Sequence, residues 1–172
     1  VNYALNKKIN IKNMSKTELN LNWNISFANA LSYPNFSSEM ALDKLKNISL
    51  IDEYEDKTGT IKYKSVFDYS GNSKDVILNL GEVYEVAEVF INGKSAGVKM
   101  CPPYRYDISD LIKRGKNEIS VEVTNTLGNE NRDGLSQYLA IEPFGIIGPV
   151  ELRVGGIVNE LFSKWFFMGW SF

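Results

Sequence analysis

Between Val76 and Asn125 apolar and polar residues alternate in short runs cut by turn residues. Val76, Leu78 and Leu80 share one phase and stop at Gly81. Val86, Val89 and Ile91 belong to the next apolar run, which Asn92-Gly93 closes. An Asn-Gly pair tolerates positive φ at both central positions of a type I′ turn, so a tight hairpin is predicted at 92–93. Past Gly115, Ile119, Val121 and Val123 alternate with Ser120, Glu122 and Thr124. Side chains two apart line one face of a strand, so three strands with one apolar face each need a second sheet to cover them. The pattern predicts an all-β, helix-poor, antiparallel β-sandwich of about eight strands.

The rest of the chain adds less regular text. Upstream, LNWNISF (21–27) and TGTIKYKSVFDY (58–69) read as early strands, and residues 3–11 alternate weakly enough for one more. Met40, Leu42, Leu45 and Ile48 within 37–48 suggest a helical turn or two, and IDEYEDKTG (51–59) reads as an acidic, exposed connection. Pro102-Pro103 removes two backbone donors and suits a loop or an edge. Asp107 fits an Asx-type turn, with Ile108 and Leu111 anchoring the loop. Gly115-Lys116-Asn117 reads as a turn before a strand at 118–124.

The order LNLGEVYEVAEVFINGKSAG, then PPYRYDISDLIKRGKNEISVEVTNT, then GIIGPVELRV resembles the sugar-binding domain of glycoside hydrolase family 2 enzymes. That domain is galactose-binding domain-like, a jelly-roll. The text is also similar to the related module of family 106 α-L-rhamnosidases. The resemblance covers about residues 20–154, which sets one domain at 1–154 and a separate tail at 155–172. It implies a non-catalytic carbohydrate-binding accessory module, or a module that buttresses a catalytic domain of the same polypeptide and has no ligand affinity of its own. In family 2 β-galactosidases an Asp in the loop before the G-I-x-R-x-V-type strand helps form the sugar subsite. Asp133 in NRDG, ahead of GIIGPVEL, is the matching position, with Gly148 where the family carries Arg.

Composition narrows the chemistry. The 172 residues include no His and a single cysteine, Cys101. Zinc sites of the usual kinds, Ser-His-Asp or Cys-His nucleophile systems and an intramolecular disulfide are therefore excluded. A net charge of −2 without a basic run gives no electrostatic case for nucleic acid. Lack of a cysteine pair leaves the compartment open, extracellular, cell-surface or cytoplasmic. The opening VNYALNKKINIKN has neither a signal-type apolar core nor an initiator Met, and reads as a piece of a longer polypeptide or a trimmed one. Asn13, Asn24, Asn35 and Asn47 head N-x-S sequons, which an Asn-rich chain acquires by chance.

Three sets of residues offer candidate chemistry. Tyr104, Arg105 and Tyr106 place two aromatic rings around a donor fork in one Pro-bounded segment. Exposed rings there would stack on sugar C–H faces, whereas buried rings would signal scaffolding. Asn129, Asn131 and Asp133, followed by Gly134, copy the start of an EF-hand calcium loop, but Ala140 stands at the twelfth position in place of the bidentate Glu. A turn-rich loop accounts for the same residues, and no cofactor is expected. Family 2 enzymes carry their acid/base as the Glu of an Asn-Glu pair, and Asn117-Glu118, Asn129-Glu130 and Asn159-Glu160 share that text. The family's pair sits on a (β/α)₈ barrel of about 250 residues, which this chain is too short to form. No glycosidase activity of the chain alone is expected.

The segment after Gly155-Gly156 gathers Trp165, Phe166, Phe167, Met168, Trp170 and Phe172. A bilayer span needs about 20 apolar residues, and Glu160 and Lys164 interrupt this one. An extra strand, a segment docked on a neighbouring domain, and a sequence foreign to the fold all remain open.

Overall fold

The alternation at 118–124 belongs to one of two ten-residue strands that pair along their whole length. β4 (Thr60–Tyr69) and β10 (Gly115–Thr124) run antiparallel, with Thr60 opposite Thr124 and Tyr69 opposite Gly115. Around this spine the computed structural model, which describes residues 14–55, 57–73, 75–126 and 143–155, is an antiparallel β-sandwich. The other strands are β1 (Met14–Glu18), β2 (Trp23–Ala28), β3 (Met40–Leu42), β5 (Val76–Asn79), β6 (Glu82–Tyr84), β7 (Val86–Ile91), β8 (Lys94–Lys99), β9 (Arg105–Asp107), β11 (Gly145–Gly148) and β12 (Glu151–Gly155). A broad six-stranded sheet has the order β3-β2-β4-β10-β7-β8, and a narrow four-stranded one the order β1-β12-β5-β9. β11 and β6 form a two-stranded ribbon.

The period of two decides what lies between the sheets. Trp23, Ile25, Ile61, Tyr63, Val89, Ile91, Val121 and Val123 from the broad sheet share one buried cluster with Val76, Leu78, Tyr106 and Leu152 from the narrow one. Trp23 meets Tyr63 edge to face, with ring centroids 6.0 Å apart. Each of these larger side chains contributes about 1.5–3 kcal/mol by leaving water. The hairpin at 92–93 forms as its turn text predicts: Asn92 has φ 51° and Gly93 φ 78°, and β7 pairs with β8 across it. Asp107 Oδ1 accepts from Ser109 N at 3.0 Å, the expected Asx-type turn, and Ile108 is fully buried.

Several expectations are corrected. Twelve strands, not about eight, occur among the described residues, because β3, β6, β9 and β11 span only three or four residues, too few for alternation to show. The helical turn expected at 37–48 is replaced by β3, whose Leu42 pairs opposite Trp23, and by a 3₁₀ turn at Ile48–Leu50. The 51–59 connection is not simply exposed, since Tyr54 is buried against Phe27. The turn expected at 115–117 is already strand, and Asn117 there is fully buried. The candidate strand at 3–11, the calcium candidate, Asp133, the pairs Asn129-Glu130 and Asn159-Glu160, and the 157–172 tail lie outside the described residues.

Candidate functional site: the outer face of the broad sheet

Tyr104, Arg105 and Tyr106 are separated by the sheet instead of being brought together. The segment leads into β9, so alternate side chains leave on opposite faces. Tyr104 and Tyr106 turn into the core, 3% and 2% exposed. Their hydroxyls donate to the carbonyls of Glu85 and Ala87, the latter at 2.8 Å. Burial, joined by the charge of nearby groups, pushes both phenols above their ordinary values. Neither ring offers a face to a sugar, so the stacking platform expected at 104–106 is corrected to a pinned piece of core.

Arg105 leaves on the outer face of the narrow sheet, opposite Asn79, which pairs in turn with Glu151. Its Nε is buried and makes no hydrogen bond. The Glu151 side chain, 4% exposed, receives Lys16 Nζ, Asn79 Nδ2 at 3.2 Å and Arg153 Nη2 at 3.4 Å. Burial alone would raise this carboxyl, but the hydrogen bonds from Lys16 and Asn79 and the charges of Lys16 and Arg153 outweigh it and hold the carboxyl below its ordinary value. Because the folded chain then binds fewer protons than the unfolded one, this stabilisation is complete above the unfolded carboxyl pKa and disappears as pH falls through the folded one. Urea titrations from pH 7 to pH 3 are expected to show Glu151→Gln less stable than the parent at neutral pH, with the gap closing in acid. A gap independent of pH would refute this account.

The broad sheet presents the richer surface. The residues on its outward phase stand in registered rows: Asn24, Lys64, Ser120, Phe90 and Ser95 across one line, and Ser26 (itself buried), Lys62, Glu122, Glu88 and Val98 across the next. A groove of about 690 Å³ runs over the first row, floored by Phe90, Ser120 and Val66 and edged by Asn22, Asn24, Glu39, Lys64 and Glu118. A second, of about 830 Å³, lies toward the end of the sheet between Leu31, Tyr33, Val86, Val98 and Thr124.

A clasp separates the two grooves. Lys62 Nζ binds Glu122 Oε1 at 3.0 Å, and the Tyr33 hydroxyl donates to Glu122 Oε2 at 3.0 Å. That hydrogen bond, with the Glu122 charge, raises the Tyr33 phenol above its ordinary value. Phe36 packs beside Tyr33, ring centroids 5.8 Å apart, and lies 4.8 Å from Lys62 Nζ. The loop at 29–37 is thereby fastened across the sheet, held at its base by Asn29 Oδ1, which accepts from Leu31 N and Ser32 N. Grooves of this size, part apolar and part lined by directed polar groups, have the build of small-molecule sites.

Sequence reasoning missed this surface. The available signal was Phe90, which breaks phase with Ala87, Val89 and Ile91 and so places an aromatic ring among polar neighbours. Among the described residues no group of His, Cys, Asp or Glu is placed to hold a metal, and no helix is long and apolar enough to cross a membrane.

Residues 46–140, more than half of the chain, match the family described as glycosyl hydrolase 2 galactose-binding domain-like. A putative beta-glucuronidase of Formosa agariphila is 33% identical over 114 residues, which is 62% of this chain and 10% of that protein. The fold is similar to part of a rhamnosidase from Novosphingobium sp. PP1Y, with a TM-score of 0.67 at 21% identity, covering 87% of this chain and 16% of that one. It is also similar to part of a beta-glucuronidase of Ruminococcus gnavus, with a TM-score of 0.64 at 15% identity, covering 86% of this chain and 29% of that one. The chain thus spans about a tenth of the length of that curated relative.

Proposed function

The chain belongs to the glycosyl hydrolase 2 galactose-binding domain-like family, and from that premise we propose that it is a carbohydrate-binding accessory module of a larger glycoside hydrolase. The observation that carries this reading is the groove over the first row of the broad sheet. Phe90 and Val66 supply an apolar bed for the C–H face of a pyranose, and Asn22, Asn24 and Glu118 stand around it to fix hydroxyls. Catalysis then belongs to another domain of the same polypeptide. For Asp133 the reading carries over what the resemblance implies, a part in forming a sugar subsite.

A second reading has its own support. Buried rings at Tyr104 and Tyr106 favour scaffolding, and Leu31, Tyr33, Val98 and Met100 are exposed apolar side chains, the first three of them lining the second groove. In this reading the module buttresses the catalytic domain and binds no free sugar.

Calorimetry and a glycan array that includes galactosides and rhamnosides separate the two. Saturable binding weakened about tenfold by Phe90→Ala, and untouched by Tyr104→Phe, supports the sugar site. Tyr104→Phe should instead lower stability by about 1 kcal/mol through loss of one buried hydrogen bond. Uniform failure to bind, with tight association of the chain with a partner catalytic domain, supports the buttress.

A further inference from the structure

On the carbohydrate-binding reading above, we propose that the groove over Phe90 takes neutral glycans and rejects those built of uronic acids. The titratable residues lining it are Lys62, Lys64, Glu39, Glu118 and Glu122, two cations against three carboxylates. Both cations are already engaged: Lys64 Nζ lies 2.6 Å from Glu39 Oε1, and Lys62 Nζ lies 3.0 Å from Glu122 Oε1. Among the described residues no hydrogen bond or ion pair occupies the Glu118 carboxylate, which stands exposed on β10. The uncommitted charge of the groove is therefore negative.

A uronate entering the groove would add its carboxylate to three already there, and the two lysines that could answer it are each already shared with one of them. Like charges placed together suppress binding of the wrong partner. A neutral sugar meets the opposite situation. Its hydroxyls are donors, and a free carboxylate is the stronger kind of acceptor for them. The Phe90 ring and Val66, which is 47% exposed, cover an apolar face without any demand for charge. The Oγ of Ser120, between Lys64 and Phe90 in the registered row, is buried without a hydrogen-bond partner, so the floor keeps an unmet polar group.

The test is calorimetric titration of the full chain with a panel of uronic-acid oligosaccharides and their carboxyl-reduced, neutral counterparts, at low and at high salt. Neutral members are expected to bind at least about tenfold more tightly than the matched uronates, with little dependence on salt. Phe90→Ala and Asn24→Ala should each weaken the neutral members, with unchanged thermal unfolding showing that the fold persists. Asn24 is exposed on β2, so its truncation keeps the test open if Phe90→Ala fails to fold. Glu118→Gln should narrow the neutral-to-uronate ratio. Uronates that bind as tightly as their reduced partners, with the same dependence on Phe90, would overturn the charge preference while leaving the module a sugar binder. Neutral binding indifferent to both substitutions would overturn the groove as the site. No binding by any member would remove the carbohydrate-binding reading itself.

Discussion

Gly145→Ala is expected to cost about 2–6 kcal/mol, combining backbone strain with overpacking, each about 1–3 kcal/mol. Small domains have about 5–15 kcal/mol in total, so much of the chain should lose its cooperative fold near physiological temperature. Gly145 has φ +96°, a conformation that L side chains rarely adopt. A Cβ there would fall within contact of the Tyr63 hydroxyl and lie 2.8 Å from Ile48 Cγ1. Neither neighbour can yield easily. Tyr63 is fully buried against Trp23, and its hydroxyl oxygen accepts from Ile146 N at 3.1 Å. The first glycine of GIIGP thus lets β11 lie on the core beside Tyr63. Thermal and urea unfolding of Gly145→Ala, beside Gly93→Ala as a control at a turn where a Cβ meets nothing within 4 Å, measure the difference. Equal losses at the two sites would assign the effect to φ alone and refute the packing explanation.

Asn117→Ala is expected to cost about 3 kcal/mol, because it breaks several hydrogen bonds and strands their buried partners. The fully buried Asn117 amide accepts from Lys113 N and Asn92 Nδ2, both at 2.9 Å, and donates to Lys113 O at 2.7 Å and Gly115 O at 2.9 Å. Asn92 in turn donates to Leu111 O and accepts from Glu118 N. Two side-chain amides therefore lock the 92–93 turn to the 111–118 segment. Asn117→Asp keeps the shape but exchanges two donors for a buried charge aimed at two carbonyls. Its carboxyl pKa should rise on folding, so the loss is greatest at neutral pH and shrinks as pH falls. Denaturant midpoints from pH 7 to pH 4 check this, and a loss that grows in acid would contradict it. The same bonds commit Asn117 to structure, whatever its likeness to a catalytic Asn-Glu pair.

The sequence alone determined the class of fold and its local punctuation. Alternation in Ile119, Val121 and Val123 requires a strand with one buried face, and Asn92-Gly93 carries its turn in its own backbone preferences. Asp107 forms its Asx-type turn with a neighbour two residues away. Such features are legible because the interactions that make them span a few residues. Short pieces were not legible. β3 and β9, three residues each, exist only because β2 and β5 lie alongside, and no period shows in so few positions.

Only the tertiary structure decided what the polar and aromatic residues do. Tyr104 and Tyr106 look the same in sequence whether they cap a loop or enter the core. Pairing of β9 with β5 turned them inward and sent Arg105 to the opposite face. The groove could not be read ahead of folding for the same reason. Asn24, Lys64, Ser120 and Phe90 come from four strands and meet through long-range register. Alternation says which residues leave the core, but it carries no information about which strand lies next to which. The site is made by that adjacency.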